Sequence, residues 1–261
     1  MAIQKSESIV LRKRDFKETS AIVVFYTREF GKISGIVKEI KRPKSLDYNG
    51  GLEPFSYNRI VFYESSRSNL DKISQSELVD YFDLIRADLE KTAYASYLIE
   101  LVDRFTELND KNEGIFNLLL ESLKNLSIIG NADCERLKMA FDVNLLSLSG
   151  FMPRLDTCGS CGKNFSGAGK RYFSIYHNSL VCNKCLGMER DEFKICEGAV
   201  ASLNFIKDAE LRKIFRLKWT PMVGTEMSYF LDRLILSHTG RSLKSLAFLE
   251  SITKRGYCAK Q

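Results

Sequence analysis

Residues 20–37 read Ser-Ala-Ile-Val-Val-Phe-Tyr-Thr-Arg-Glu-Phe-Gly-Lys-Ile-Ser-Gly-Ile-Val, and this stretch decides the fold of the amino-terminal part. Isoleucine, valine and aromatic side chains are enriched in β-strands because they pack well on a pleated surface. The stretch therefore predicts two strands, Ser20–Thr27 and Ile33–Glu39. A short turn that ends at Gly31 connects them.

Further strand-like stretches lie on both sides of this pair, at Ser8–Arg12, at Arg59–Glu64 and around Leu70–Val79. The strongly basic loop Lys41-Arg-Pro-Lys-Ser45 interrupts them. Five short antiparallel strands within about 80 residues favour a small closed barrel over a sandwich. Residues 1–80 are therefore predicted to form a barrel domain.

From about residue 82 onward, apolar side chains recur at the spacing of an amphipathic helix instead. Such stripes usually form the packed core of a helical domain, and only rarely a cofactor site. The sequence thus predicts a helical domain over residues 81–261. Its three clearest stripes are Leu98, Leu101, Phe105 and Leu108; Phe116, Leu119, Leu123 and Leu126; and Leu137, Phe141, Leu145 and Leu148.

Two close pairs of cysteines stand inside the helical part. Cys158 and Cys161 flank Gly-Ser, Cys182 and Cys185 flank Asn-Lys, and twenty residues separate the pairs. This spacing lies at the upper edge of the range expected for a tetrahedral metal site, and four thiolates favour zinc. Because four protein ligands leave no open position, the predicted zinc is structural, within an insert at about 151–190 that includes a short strand.

Other interpretations of the cysteines stay open at this point. Iron could occupy the same sulfur cage, His177 could replace one thiolate, and the pairs could be redox-active or form two disulfides. Disulfides are disfavoured because the chain starts without an apolar signal segment, which predicts a reducing cytoplasm. The three single cysteines, Cys134, Cys196 and Cys258, are interpreted as free and buried.

The charge of the chain is unevenly distributed. Residues 1–44 and 151–261 carry net charges of +6 and +8, whereas residues 45–80 and 81–150 carry −3 and −5. This asymmetry indicates a polyanionic partner, although a solvated surface with chance clustering is the alternative. No apolar run approaches the roughly 18 residues of a membrane span, so no membrane partner is expected.

Catalysis has little support in the sequence. The two histidines, His177 and His238, are far apart, and His238 suits the end of a helix, where a cation interacts favourably with the dipole. No serine-nucleophile elbow, phosphate-binding glycine loop or dinucleotide fingerprint occurs. We therefore expect a protein that is not an enzyme.

The predicted barrel combines many cations with the aromatic residues Phe16, Tyr26 and Phe30. A small barrel binds single-stranded nucleic acid by tracking phosphates with cations and stacking bases on aromatic rings. One residue of the adjacent pair Phe25 and Tyr26 is expected to fill the barrel, since neighbouring strand residues face opposite sides. The predicted DNA-binding cations are Arg12, Arg14, Lys17, Lys32, Lys38, Lys41, Arg42 and Lys44.

Several of these segments, in this order, make the chain similar to the RecO family of bacterial DNA repair and recombination mediator proteins. The carrying stretches at the amino-terminal end are residues 8–23, 25–38, 41–45 and 52–55. Further on they are Leu145-Leu-Ser-Leu-Ser-Gly-Phe-Met-Pro-Arg-Leu155, which leads into the first cysteine pair, and residues 231–249. The resemblance spans nearly the whole chain.

The resemblance implies an α+β protein with an amino-terminal five-stranded OB-fold barrel and a helical domain that holds a zinc-finger-like insert. It implies a protein that binds single- and double-stranded DNA, anneals complementary strands and acts with RecR. Together they would load RecA onto DNA coated by single-strand-binding protein (SSB), with RecF in the routes that use it. A cytoplasmic, nucleoid-associated location is implied as well.

The family also implies that the acidic tail of SSB docks on the helical domain. Such a tail needs cations around an apolar pocket, and residues 205–219 offer both, including Arg212 and Arg216. The alternative for this segment is an ordinary amphipathic helix whose apolar face lies in the core. For the whole chain, the alternatives are a zinc-ribbon transcription or RNA-binding factor, which would bind selected sequences, and an enzyme with an unrecognised site.

Overall fold

The computed structural model describes residues 3–16, 18–38, 51–65, 68–165, 171–187, 191–209 and 211–258, with only the backbone described at 212 and 254–258. Five strands of the amino-terminal part form a closed barrel with the order β1-β2-β3-β5-β4. The predicted five-stranded OB-type barrel is therefore confirmed. The strands are β1 (Ile3–Phe16), β2 (Ser20–Thr27), β3 (Gly31–Val37), β4 (Tyr57–Tyr63) and β5 (Asp71–Asp80).

The long first strand makes closure possible. Its first half pairs with β4 and its second half with β2, and the register shifts between Val10 and Arg12. Such a bulge bends a strand and increases its twist, so one strand can serve two neighbours. The expectation of antiparallel pairs throughout is wrong for one pair, because β5 returns beside β3 in the parallel direction.

The barrel interior is filled by apolar side chains that alternate along the strands. Burying them is the main favourable contribution to folding, at about 25 cal/mol for each Å² of apolar surface. Phe30 packs on this cluster from the rim, with its ring 5.3 Å from that of Phe62. The cluster consists of Val10, Ala21, Val23, Phe25, Ile33, Val37, Leu52, Ile60, Phe62 and Ile73.

The chain divides into two compact units, residues 1–134 with 243–261 and residues 135–242. This division does not test the predicted domain boundary between residues 80 and 81, which stays a prediction. Besides the barrel, the first unit contains helices α1 (Asp83–Arg86), α2 (Leu89–Phe105), α3 (Glu113–Ile128) and α8 (Lys244–Cys258). Asp88 and Asn112 cap α2 and α3, each accepting hydrogen bonds from main-chain N–H groups of the first turn.

The second unit holds most of α4 (Asn131–Leu148) and a small antiparallel sheet with the order β7-β6-β8. The sheet packs on a helix through Phe173, whose ring lies 4.8 Å from that of Phe230, edge to face. The remaining elements of this unit are β6 (Arg171–Ser174), β7 (Ser179–Cys182), β8 (Glu192–Ile195), α5 (Glu197–Asp208), α6 (Leu211–Ile214) and α7 (Pro221–Thr239).

A buried ion network joins two helices of the second unit. The Lys138 ammonium lies 3.1 Å from the Asp142 carboxylate on α4 and 3.2 Å from the Asp232 carboxylate on α7. A buried charge is tolerated only where partners replace its hydration, and these two carboxylates contribute to that for Lys138. Among the helices that the structure describes, none is long and apolar enough to cross a lipid bilayer.

Candidate metal centre and nucleic-acid interface

The four predicted cysteine ligands come together. The Sγ atoms of Cys158, Cys161, Cys182 and Cys185 all lie within 4.8 Å of one another, and those of Cys161 and Cys182 are 3.9 Å apart. Four sulfur atoms around a zinc ion at about 2.3 Å form a tetrahedron with edges of about 3.8 Å. The donor set and its spacing therefore fit a tetrahedral, thiolate-bound metal.

Main-chain hydrogen bonds build the turn that carries the first cysteine pair, Cys158–Lys163, here called the first knuckle (the second carries Cys182 and Cys185), and join it to β7. Within the knuckle, the Cys158 N–H donates to the Lys163 carbonyl and the Gly162 N–H donates to the Cys158 carbonyl, both at 2.8 Å. The Gly159 N–H donates to the Leu180 carbonyl, also at 2.8 Å. A Cβ atom at Gly159 would lie 2.0 Å from the Ser179 hydroxyl oxygen, so only glycine fits this position.

The protonation of the thiols differs across the cluster. Burial acts to raise the pKa of Cys158, but main-chain N–H groups of Cys161, Cys182 and Ser160 lower it to about 6. Hydrogen bonds with Cys182 and Cys161 raise the pKa of Cys185 to about 12. Because a coordinated dication deprotonates a thiol outright, a bound metal would convert this mixed set into four thiolates.

The other thiols and the histidine lie outside this cluster. His177 is in the turn between β6 and β7 and is not part of the metal-ligating group found among the described residues. Cys134 is buried as predicted, and burial raises its pKa to about 12. Cys196 is only half-buried, and it caps α5 by accepting a hydrogen bond from the Ala199 N–H. The side chain of Cys258 lies outside the described residues.

The structure separates the predicted DNA-binding cations into groups. Arg14 and Lys38 are exposed. Arg12 is exposed as well, and its guanidinium lies 3.3 Å from the Asp103 carboxylate. Four others, Lys17, Lys41, Arg42 and Lys44, lie outside the described residues.

Lys32 has a different environment from the other predicted cations. Its side chain is only 12% exposed. Its ammonium donates to the carbonyl oxygens of Asp103, at 2.8 Å, and of Thr106, and lies 3.4 Å from the Asp103 carboxylate. Since these acceptors occupy the ammonium, we remove Lys32 from the proposed DNA-binding set.

The outer surface of β2 is also covered, so Tyr26, one of the three aromatic candidates for stacking, is not exposed. Ile22, Val24 and Tyr26 point away from the barrel interior, yet they are 7%, 8% and 0% exposed. The Tyr26 hydroxyl donates to the Asn112 carbonyl at the start of α3. Both members of the Phe25–Tyr26 pair are therefore buried, Phe25 inside the barrel and Tyr26 against the start of α3.

Basic residues that the sequence reasoning missed lie on another part of the barrel. Lys5 on β1, Arg59 on β4 and Lys72 on β5 are exposed on the outer surface of these adjacent strands. A groove of about 470 Å³ crosses the same strands. Alternation along each strand predicts an outward direction for these side chains, but only the strand order brings them together.

The segment predicted to dock the SSB tail is not a continuous helix. It is divided between the end of α5 and the four-residue α6. Ile206 and Ile214 are fully buried, whereas Phe205 is 46% exposed. Arg216 is exposed, and the side chain of Arg212 lies outside the described residues. An exposed aromatic and an exposed cation therefore remain at this position, while part of the apolar face belongs to the core.

Comparison with known proteins assigns both parts of the chain to the same family. A family model described as "Recombination protein O N terminal" matches residues 1–82, and one described as "Recombination protein O C terminal" matches residues 86–247.

Individual relatives agree with these family matches. A DNA repair protein RecO from Alkaliphilus metalliredigens is 32% identical over 237 residues, which cover 91% of this chain and 94% of that protein. The DNA repair protein RecO from Bacillus pumilus is 32% identical over 248 residues, covering 95% and 94%. The one from Pelotomaculum thermopropionicum is 31% identical over 250 residues, covering 96% and 94%.

Proposed function

The chain belongs to the RecO family of DNA repair proteins, and from this we propose that it is a non-enzymatic recombination mediator. In this proposal it binds single- and double-stranded DNA, anneals complementary strands and, with RecR, helps to load RecA onto SSB-coated DNA. The observation that carries the proposal is the closed five-stranded barrel within the matched residues 1–82. Small barrels of this kind hold nucleic acid on their surfaces.

DNA binding is proposed to be electrostatic and indifferent to sequence. Each phosphate neutralised on a single strand contributes about −0.7 to the slope of log K against log salt. A barrel that engages roughly 4–6 phosphates should give a slope of about −3 to −4. A zinc-ribbon transcription or RNA-binding factor would instead prefer particular sequences, so titrations with unrelated oligonucleotides at several salt concentrations separate the two functions.

The loop cations Lys41, Arg42 and Lys44 are the first to test. Replacing all three by alanine should weaken binding and flatten the salt slope, because three phosphates lose their partners. A triple alanine variant at the exposed Lys111, Lys124 and Lys244 changes the net charge equally and is the matched control. If both variants change the salt slope to the same extent, DNA does not bind along the loop.

We also propose that Cys158, Cys161, Cys182 and Cys185 hold one structural zinc ion. When bound, zinc would link the first knuckle to the second and would supply no catalytic function, since four protein ligands leave no open position. This agrees with the proposed absence of enzymatic activity. Metal analysis of purified protein should find about one zinc per chain, whereas iron in the same cage would be visible by its absorption.

Docking of the acidic SSB tail is proposed to involve Arg212 and Arg216. Their charges would attract the tail, and the exposed Phe205 supplies apolar surface beside them in the sequence. The test is titration of a labelled tail peptide against an Arg212→Glu, Arg216→Glu variant. Lys194→Glu, on the exposed side of β8, serves as a charge control. Equal affinities for the wild type and the double variant would remove this segment as the receptor.

RecR is the proposed direct partner, with RecF in those routes that contain it. A cytoplasmic, nucleoid-associated location follows from the proposed role and remains a prediction. Co-elution of the purified chain with RecR on a sizing column, with and without RecF, tests the partner assignment. Failure to co-elute would leave DNA binding intact but would remove RecR from the proposal.

A further inference from the structure

The first unit covers part of its own barrel, which limits where nucleic acid can lie. The interior is filled with side chains, so only the outer surface and the loops are accessible. The outer residues of β2 are buried, and the Tyr26 hydroxyl donates to the Asn112 carbonyl at the start of α3. Beside them, Lys32 on β3 is bonded to the end of α2. The outer surface of β2 and the Lys32 ammonium are therefore not available to nucleic acid.

The outer face of β1, β4 and β5, here called the open face, has a different character. Pairing places Ile3, Tyr63 and Lys72 side by side across the three strands. Two residues further along β1 and β4, the next row of outward-facing side chains consists of Lys5, Val61 and Gln75. Ile3 is 59% exposed, and the Lys72 ammonium lies 5.7 Å from the centre of the Tyr63 ring. These two rows contain two cations, an aromatic ring and no carboxylate.

The carboxylates at the other end of the open face are occupied by cations of the protein itself. Glu7 accepts hydrogen bonds from Arg28, at 2.7 Å, and from the Tyr57 hydroxyl, at 2.6 Å. Glu77 lies 3.7 Å from the Arg59 guanidinium. Within the described part of the chain, no ion pair joins Lys5 or Lys72 to a carboxylate. Their charges therefore remain available to a polyanion.

We propose that the open face is a binding surface for single-stranded DNA, with Lys5 and Lys72 neutralising phosphates and the Tyr63 ring stacking against a base. This inference rests on the proposed DNA-binding function and names the surface that performs it. An extended peptide is the less favoured occupant, because the barrel is closed and each of its strands has a hydrogen-bonded neighbour on either side. The two cations and the ring instead match the phosphates and bases of a single strand.

Charge reversal tests the cations of the open face. The variant Lys5→Glu, Lys72→Glu is compared with Lys111→Glu, Lys124→Glu, which changes the net charge equally at exposed positions of the same unit. Affinity for a labelled thymidine oligonucleotide of about 16 nucleotides is measured over a range of salt concentrations. The open-face variant should bind at least about tenfold more weakly at low salt, with a slope smaller by about 1.4. The control should keep most of its affinity.

Substitutions at Tyr63 test the stacking contact independently of charge. Tyr63→Leu should weaken binding about 5- to 150-fold, the loss expected for one stacked base, whereas Tyr63→Phe should bind like the wild type.

A second variant of the cations, Lys5→Ala, Lys72→Ala, perturbs folding less than charge reversal does. It should also lower the salt slope by about 1.4.

The outcomes separate the open face from the function itself. If the wild type binds DNA and the open-face variants bind equally well, this inference is overturned while the proposed function stands. If the variants keep DNA affinity but lose affinity for the SSB tail peptide, the face is a peptide site and the inference is again overturned. If the wild type binds no DNA, the proposed function fails and this inference fails with it.

Discussion

The ammonium group of Lys32 lies 2.8 Å from the main-chain oxygen of Asp103, in the last turn of α2. Carbonyl groups in the last turn of a helix lack partners within the helix, and a lysine there satisfies them and interacts favourably with the helix dipole. An isolated parallel β-bridge between Lys32 and Leu108 also joins β3 to the segment that follows α2. The sequence suggests a DNA-binding cation at this position, but the fold uses it to join β3 to α2.

Replacing Lys32 by methionine should therefore reduce stability more than DNA affinity. The two carbonyls and the carboxylate would lose their donor, at a cost of about 1–3 kcal/mol in the free energy of unfolding. Lys38→Met, at an exposed position, should change stability by less than about 0.5 kcal/mol. Urea unfolding measures both. A Lys32→Met variant of normal stability that binds DNA weakly would show that the ammonium contacts DNA after all.

The close approach of β3 to the segment between α2 and α3 also requires a glycine at position 31. It has φ of +66°, and a Cβ atom there would lie 2.0 Å from the Asp110 carbonyl oxygen. Gly31→Ala should cost more than about 2 kcal/mol, because left-handed backbone alone costs about 1–2 kcal/mol for alanine and the clash adds to this. Gly130→Ala, with no atom within 4 Å of the added Cβ, should be neutral or stabilising by up to about 1 kcal/mol. Thermal unfolding of the two variants compares them, and equal losses would contradict this packing.

The sequence predicts the barrel and the cysteine cluster well because both depend on local signals. Strand composition and turn residues specify the first, and the spacing within each knuckle specifies the second. The burial of both faces of β2 also has a signature in the sequence. The run from Ala21 to Tyr26 contains no charged residue, which is typical of a strand that is buried on both faces.

Other features depend on contacts between distant residues, which no local pattern reports. Lys5 and Lys72 come into one surface only because β4 pairs with both β1 and β5. The parallel pair of β3 and β5 likewise follows from the strand order. The break between α5 and α6 has no proline or glycine to announce it, and the helical pattern over residues 205–219 is therefore misleading.

A carboxylate on α2 accepts hydrogen bonds from the main chain at the start of α8. Glu100 accepts hydrogen bonds from the main-chain N–H groups of Ser245, at 2.9 Å, and Lys244, at 3.4 Å. Burial acts to raise the pKa of Glu100, but hydrogen bonds from Ser245 and Lys244 lower it overall below the ordinary value of 4.5. A carboxylate whose pKa is lowered by folding stabilises the fold at pH above its unfolded value, and this contribution is lost as pH falls through the folded value.

Glu100→Gln should therefore reduce the free energy of unfolding by about 0.3–1 kcal/mol at pH 7, since a charge at a helix N-terminus is lost. The difference from the wild type should disappear as pH falls below 4.5 and through the lowered pKa of Glu100. Glu121→Gln, on the exposed side of α3, is the control. Chemical unfolding at several pH values measures the effect, and a difference that persists in acid would contradict the assigned role.

Loss of one thiolate should abolish the zinc binding that we propose for the second unit. Cys185→Ser should lower the zinc content well below about one ion per chain and expose the knuckles to proteolysis. Metal coupling is worth about 10–16 kcal/mol in isolated fingers, and less is expected where helices support the site. Cys196→Ser is the matched control, because serine is a preferred residue at the helix start that Cys196 caps. A Cys185→Ser protein with full zinc content and unchanged stability would rule out the four-cysteine site.

Annealing of complementary oligonucleotides coated by SSB tests the central claim most directly. Fluorescence quenching between labels on the two strands follows duplex formation in the presence and absence of the protein. We predict that the protein accelerates annealing of unrelated sequences alike and that acceleration declines as salt rises, because phosphate contacts release counterions. Coated strands that anneal no faster with the protein than without it would contradict the proposed mediator function.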